Sequence, residues 1–274
     1  MGFGKTGKAV AAVLLENPAV DLRWVVRKTA ALEHRSVAEF LGIQADEQGW
    51  IYSKEEFTAG ELTDQFPVDA IIDFSSQSGL DYYGGTAAER GISIITAISS
   101  YPDRKIQQLH QLAGKTKVLW SPNITIGINF LMMAAKILKN IAPYTDIEII
   151  EEHFKRKPEV SGTAKKIAQA LGVEESAIKT IRAGGIIGVH EILFGFPYQT
   201  VRLKHESISR EAFGNGVLFA AENLLKKDGI GFYTMEDLLR PFFQISAVRN
   251  QALEPISQGG GGACPRAHMQ APKV

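Results

Sequence analysis

The 274-residue chain has a single cysteine, Cys264. One cysteine permits neither an intrachain disulfide framework nor a thiolate metal cluster. Net charge is also absent, because 30 Lys and Arg are matched by 30 Asp and Glu. Dedicated nucleic-acid binders carry a basic excess, so nucleic acid is not an expected partner. Long hydrophobic runs are missing: the best one, Phe130 to Ala135, stops at Lys136. A membrane span needs ~20 apolar residues, so a membrane is not an expected partner either. The N-terminus lacks the apolar core of a signal peptide. With the cysteine content, this leads to the expectation of a cytoplasmic protein. No spacing of histidines and carboxylates suits a metal, and none is expected. What the chain does have is core material, 45% apolar residues. Its length suits one large domain or two modest ones.

The first half alternates short apolar runs with helical patterns. Residues 22–26, 68–74, 92–97 and 117–120 read as strands, and 77–90 and 103–113 as helices. Strands apolar on both faces, alternating with helices, mean a parallel sheet covered by helices. The rhythm then changes. Residues 126–141 form a buried helix, 146–154 a strand and 161–171 a helix. Strand-like runs follow at 177–183, 188–196 and 200–207, joined by short Gly/Pro turns, and helices at 210–225 and 234–239. Close strand spacing suggests an antiparallel or mixed sheet. The expected class is α/β: a Rossmann-type dinucleotide-binding domain plus an α+β domain with a mixed sheet. The expected division is 1–124 with about 211–257 for the first, and 125–210 for the second. The Gly-rich segment 258–274 reads as a disordered tail.

Gly2-Phe3-Gly4-Lys5-Thr6-Gly7 matches G-x-G-x-x-G and runs into a helical pattern. Glycines permit the tight turn and close approach of a pyrophosphate, and the helix N-terminus offers free N–H groups. The pattern alone also fits a plain Gly-rich helix start. One part of the fingerprint is missing: a strand should precede the loop, and only Met1 does. That strand would lie inside the sheet, so the expectation is a natural chain that begins earlier. Arg27 and Lys28 follow the second strand, where an NAD site would carry an acid. Basic residues there suit the 2′-phosphate of NADP, although a solvated basic turn reads the same way. NADPH is the expected cofactor, with NADH possible.

The segment 151–164, EEHFKRKPEVSGTA, carries the densest chemistry. A strand delivers His153, a basic loop carries Lys155, Arg156 and Lys157, and Ser161-Gly162-Thr163 opens a helix. Histidine moves protons near neutral pH, and a helix N-terminus beside cations traps carboxylates. The bland alternative is a charged loop with a capped helix. The paired acids Glu151 and Glu152 read as strand-edge support, with the alternative that Glu152 orients His153.

This segment resembles the signature of the dihydrodipicolinate reductase family, roughly E-x-H-H-x-x-K-x-D-A-P-S-G-T-A. Other stretches agree in order: the glycine loop; Ile72-Asp73-Phe74-Ser75; the 121–129 crossover SPNITIGIN; the 182–191 run RAGGIIGVHE; and the 204–210 run KHESISR. The resemblance covers residues 2 to about 240. It implies reduction of a cyclic imine dicarboxylate by NAD(P)H in diaminopimelate and lysine biosynthesis, and a homotetramer. By position it implies His153 and Lys157 as the proton-donor pair. Ser161, Gly162 and Thr163 would hold a substrate carboxylate, Phe154 stands at a substrate-contact position, and Arg210 would support. Gly2, Gly4, Lys5, Thr6 and Gly7 would hold the pyrophosphate, with Arg27 and Lys28 beyond. Asp73, Phe74, Ser75, Ala97, Ser99, Ser121 and Asn123 would line the nicotinamide side. There are three departures. Phe154 replaces the second histidine, Pro158-Glu159-Val160 replaces D-A-P, and Ala97-Ile98-Ser99-Ser100 replaces G-T-T-G. They leave two alternatives open: a same-fold reductase acting on another cyclic imino acid or oxo acid, and a cofactor-binding protein without turnover.

Overall fold

The computed structural model describes residues 1–30, 32 and 34–243. Cys264, the 258–274 segment and residues 244–257 lie outside them. The first unit contains α1 (Lys5–Leu15), β1 (Trp24–Arg27), α2 (Val37–Leu41), β2 (Trp50–Ser53), α3 (Ala59–Gln65), β3 (Ala70–Asp73), α4 (Gly79–Glu89), β4 (Ser93–Thr96), α5 (Asp103–Ala113) and β5 (Lys117–Trp120). The second contains α6 (Ile126–Ile141), β6 (Asp146–His153), α7 (Gly162–Leu171), β7 (Ile178–Arg182), β8 (Val189–Phe196) and β9 (Gln199–Glu206). The chain then returns to the first unit through α8 (Glu211–Leu225), β10 (Gly231–Tyr233) and α9 (Met235–Leu239).

All strand pairs of the first unit are parallel. β3, β4, β5 and β10 form one set, β1 and β2 another. β4 is buried at every position, as helices on both faces require. Val10 and Leu14 of α1 pack with Ile95, Leu119 and, from α8, Val217, Ala220 and Leu224. α3 opens with a capping box between Thr58 and Glu61. The pattern reading missed β2 and β10. Four and three residues are too few to show a period, and β10 begins on a glycine.

The sheet is interrupted between β1 and β3. Among the strands of the described residues, β1 pairs with β2 alone and β3 with β4 alone. Met1 and Gly2 bridge the two sets at one end. The Met1 ammonium donates to Ile72 O at 2.6 Å, Phe74 N donates to Met1 O at 3.0 Å, and Gly2 N donates to Val26 O at 2.9 Å. Burial lowers the pKa of that ammonium, and Asp73 partly offsets this. Below the bridge lies a cleft of about 500 Å³. Residues 22–25 and 68–72 form its walls, with Val10, Leu14, Ala221 and Leu225 beside them.

The second sheet has the order β7-β6-β8-β9 and is mixed: β6 and β7 run parallel, the other pairs antiparallel. Register places Ile149, Ile192 and Leu203 on one face, where α6 and α7 cover them through Ile128, Leu131, Ile167 and Leu171. Towards one end the same face turns polar, with Glu151, His153 and His190. No helix among the described residues is long and apolar enough to cross a membrane.

Candidate active site

The glycine loop packs as its spacing requires. Gly2 has φ +85°, and a Cβ there would lie 2.7 Å from Ser75 Cα. A Cβ at Gly7 would lie 2.2 Å from Gly2 O, whereas one at Gly4 would meet nothing within 4 Å. Two glycines therefore close the turn, and the third keeps its outer side open. No side chain caps α1, so its first N–H groups remain available to an anion.

A cleft of about 490 Å³ runs along this loop. Gly2, Gly4, Arg27, Lys28, Phe74 and Ser75 line it, and so does Lys54, which the pattern reading missed. Lys54 sits just past β2, and its N–H donates to Arg27 O at 3.0 Å. Arg27 Nη1 is buried with no hydrogen-bond partner among the described residues. A second cleft, about 480 Å³, meets the first at Phe74, Ser75 and Ser76. Thr6, Ala97, Ser99 and Pro122 line it. The continuous groove runs from a cationic end over free helix N–H groups to a less charged end. That donor set fits a dinucleotide phosphate ester.

Two residues expected at the cofactor face elsewhere. Asp73 is fully buried, and its carboxylate accepts from Ser75 N at 2.8 Å, Ser75 Oγ at 2.6 Å and Tyr83 OH at 3.0 Å. It braces the Ser75 turn rather than lining the groove. Lys5 points away from the groove, because successive helical residues diverge by about 100°. It lines a separate cleft of about 450 Å³ with Lys8 and Arg210. Arg210 is exposed there at the start of α8.

The crossover joins groove and second sheet. Ser121 Oγ donates to Asn123 O at 2.7 Å, and Asn123 Oδ1 accepts from Thr125 Oγ1 at 2.9 Å. Asn123 Nδ2 donates to Thr163 Oγ1 at 3.4 Å. Thr163 belongs to the first turn of α7, so one side-chain contact ties the two units at the site.

At the polar end of the second sheet, His153 is buried and Glu151 fully so. Alternation in β6 puts residues 151 and 153 on one face and 152 on the other. Glu151, not Glu152, therefore meets His153, with its Oε2 2.5 Å from Nδ1. Ser161 N donates to Glu151 Oε1 at 3.2 Å. Ser161 Oγ lies 2.9 Å from His190 Nε2 and accepts from Ala164 N. A Cβ at Gly188 would stand 3.1 Å from His153 Nε2, so this glycine leaves room beside the second ring nitrogen. Lys157 sits half-buried on the loop after β6. Phe154 is 44% exposed at the strand end.

Electrostatics follows from this packing. Burial lowers the pKa of His153, and Lys157 and Arg182 lower it further; Glu151 opposes them without reversing the shift. Burial pushes Glu151 up, but hydrogen bonds from Arg182, His153 and Ser161 N outweigh it and keep it ionised. His190 falls to about 3, chiefly through burial, and is neutral.

Comparison with known proteins places this arrangement. The profile described as dihydrodipicolinate reductase, N-terminus, matches residues 1–124, and its C-terminal counterpart matches 123–239. The chain belongs to the dihydrodipicolinate reductase family. A 4-hydroxy-tetrahydrodipicolinate reductase of Caldanaerobacter subterraneus is 28% identical over 260 residues, 86% of this chain and 95% of the relative. One from Thermosipho africanus is 32% identical over 183 residues, 66% of this chain and 83% of its own. Among solved structures, dipicolinate-bound dihydrodipicolinate reductase from Paenisporosarcina sp. TG-14 superposes with a TM-score of 0.69 at 22% identity. It covers 85% of this chain and 95% of that one. The family consists of NAD(P)H-dependent oxidoreductases.

Proposed function

We propose that this protein is a 4-hydroxy-tetrahydrodipicolinate reductase that prefers NADPH. The observation that carries this reading is the junction at Asn123, where a dinucleotide-shaped groove reaches the helix that opens beside His153 and Lys157. Bound NADPH supplies hydride. Gly2, Gly4 and Thr6 would hold its pyrophosphate, and Arg27, Lys28 and Lys54 would receive the 2′-phosphate. Phe74, Ser75, Ala97 and Ser99 would border the nicotinamide end, and Ser121 and Asn123 would hold the crossover beside it. A substrate carboxylate sits on Ser161, Gly162 and Thr163, where the dipole of α7 and Lys157 offset its charge. His153 and Lys157 then protonate the carbon left electron-rich by hydride addition. A dianionic substrate raises the pKa of His153 and so charges the acid when it is needed.

Residues 1–124 and about 211–257 serve the cofactor, and 125–210 serve substrate and assembly. A homotetramer built through the second unit is the assembly that membership of the family suggests. The protein works in the cytoplasm, alongside its biosynthetic relatives.

The test is NADPH oxidation with freshly generated 4-hydroxy-tetrahydrodipicolinate. Lys157→Ala should lower kcat by at least about 100-fold, the usual share of a positioned acid. Unchanged turnover would remove Lys157 from the mechanism. Phe154 favours a second reading, since an exposed ring replaces a family histidine beside the substrate. If a folded protein leaves this substrate untouched but reduces another cyclic imino acid, that reading holds.

A further inference from the structure

We propose that Glu151 and Arg182 are positioning residues of the reductase site: Glu151 fixes which nitrogen of His153 works, and Arg182 holds the Lys157 loop in register with it. This rests on the reductase reading above.

The carboxylate of Glu151 is fully buried and out of a substrate's reach. Both its oxygens are occupied. Oε2 meets His153 Nδ1 at 2.5 Å and accepts from Arg182 Nη1 at 3.0 Å. Oε1 accepts from Arg182 Nη2 at 2.7 Å and from Ser161 N at 3.2 Å. One anion thus touches the proton donor, the anion-holding turn and a cation. An ionised carboxylate only accepts, so Nδ1 must carry a proton. Nε2, beside Gly188, is left as the nitrogen that gains and loses one.

Arg182 reaches in the other direction as well. Its Nε donates to Lys157 O at 3.1 Å, and its Nη2 to Glu159 O at 2.9 Å. The parallel register of β6 and β7 sets Arg182 directly opposite His153. The guanidinium therefore pins the loop backbone that carries Lys157 to the carboxylate that orients His153. It also draws off part of the Glu151 charge, so the anion does not lock His153 in the charged form.

The charged and titratable groups facing His153 are Glu151 on its own strand, Lys157 on the loop, Arg182 on β7 and His190 on β8, whose ring centroid is 5.3 Å away. Lys157 and His190 remain unchanged in the test variants, and His190 is neutral. In the substrate-free protein, long-range nitrogen–proton NMR should find neutral His153 protonated on Nδ1. Glu151→Gln should move the His153 pKa down, since an anionic partner is lost. Arg182→Met should move it up, since the anion then acts undivided. The basic limb of the kcat profile should follow in the same two directions, and Arg182→Lys should restore part of the shift. Opposite shifts would not arise from general loosening of the fold. Neutral His153 protonated on Nε2 in the wild-type protein would overturn the proposal without any variant. So would shifts of the same sign in the two folded variants. The NMR readout needs no turnover. Failure of the reductase reading would appear separately, as absent NADPH oxidation with the Nδ1 tautomer intact.

Discussion

His190 shows how a single buried side chain sets a pH limit. Its pKa is held at about 3 in the folded protein, against about 6.5 in an unfolded chain. Between those values the unfolded state binds the extra proton, so stability falls as pH falls. From pH 7 to pH 5 this one group should cost about 2 kcal/mol. Denaturant unfolding at the two pH values measures it, and His190→Asn should flatten the dependence while keeping a partner for Ser161. An equal slope in the variant would mean that another group carries the loss. The cationic end of the groove gives a second residue-scale prediction. Replacing Arg27 and Lys28 by Ala should raise KM for NADPH about tenfold or more and leave KM for NADH within about twofold, because only NADPH carries the 2′-phosphate. Parallel losses with both cofactors would place these cations against the shared pyrophosphate instead.

The interrupted sheet belongs to the scale of the element. Among the described residues, β1 and β3 each present an unpaired backbone edge to the cleft between them. Met1 and Gly2 stand at the end of that cleft, Met1 bonded to Ile72 and Phe74 on one side and Gly2 to Val26 on the other. An extended apolar segment joined ahead of Met1, such as Lys-Val-Ile-Val-Val, should continue the ladder. Burying two or three of its side chains is worth about 1.5–3 kcal/mol each before the cost of ordering the chain. A rise in Tm of about 5 °C or more is expected. No rise with a soluble, monodisperse protein would show that the cleft does not accept a strand. The helix openings follow the same logic. α1 begins uncapped at Gly4, where an anion can take its N–H groups, whereas Ser161 caps α7 and leaves its hydroxyl facing His190.

At the scale of the whole molecule, the two units meet at the site and along α6, where Lys136 pairs with Glu236 of α9. Asn123 joins them by its hydrogen bond to Thr163. Asn123→Ala should leave NADPH affinity unchanged by fluorescence titration and lower kcat/KM for the imine substrate about tenfold, the worth of one hydrogen bond in a positioned site. Equal loss in cofactor affinity would mean that Asn123 serves the groove and not the junction. α8 and β10 return the chain to the first sheet, so each unit is anchored on both sides of the crossover.

Local pattern alone carried much of this protein. The helices at 103–113 and 126–141 and the strand at 117–120 are legible from periodicity, because burial selects apolar residues at the element's own period. Gly2 and Gly7 are legible because a backbone turn that tight admits nothing larger. The Glu151–His153 contact was equally available from the two-residue strand period, although it was read as Glu152. Lys54, Arg182 and His190 were not available. They stand on or just past strands far from their partners in sequence, and only sheet register brings them there. Asp73 and Lys5 stand in the right motif, but their side chains turn away from the groove. A motif names a residue's place in the chain, whereas the packing of neighbouring strands and helices decides which way it points.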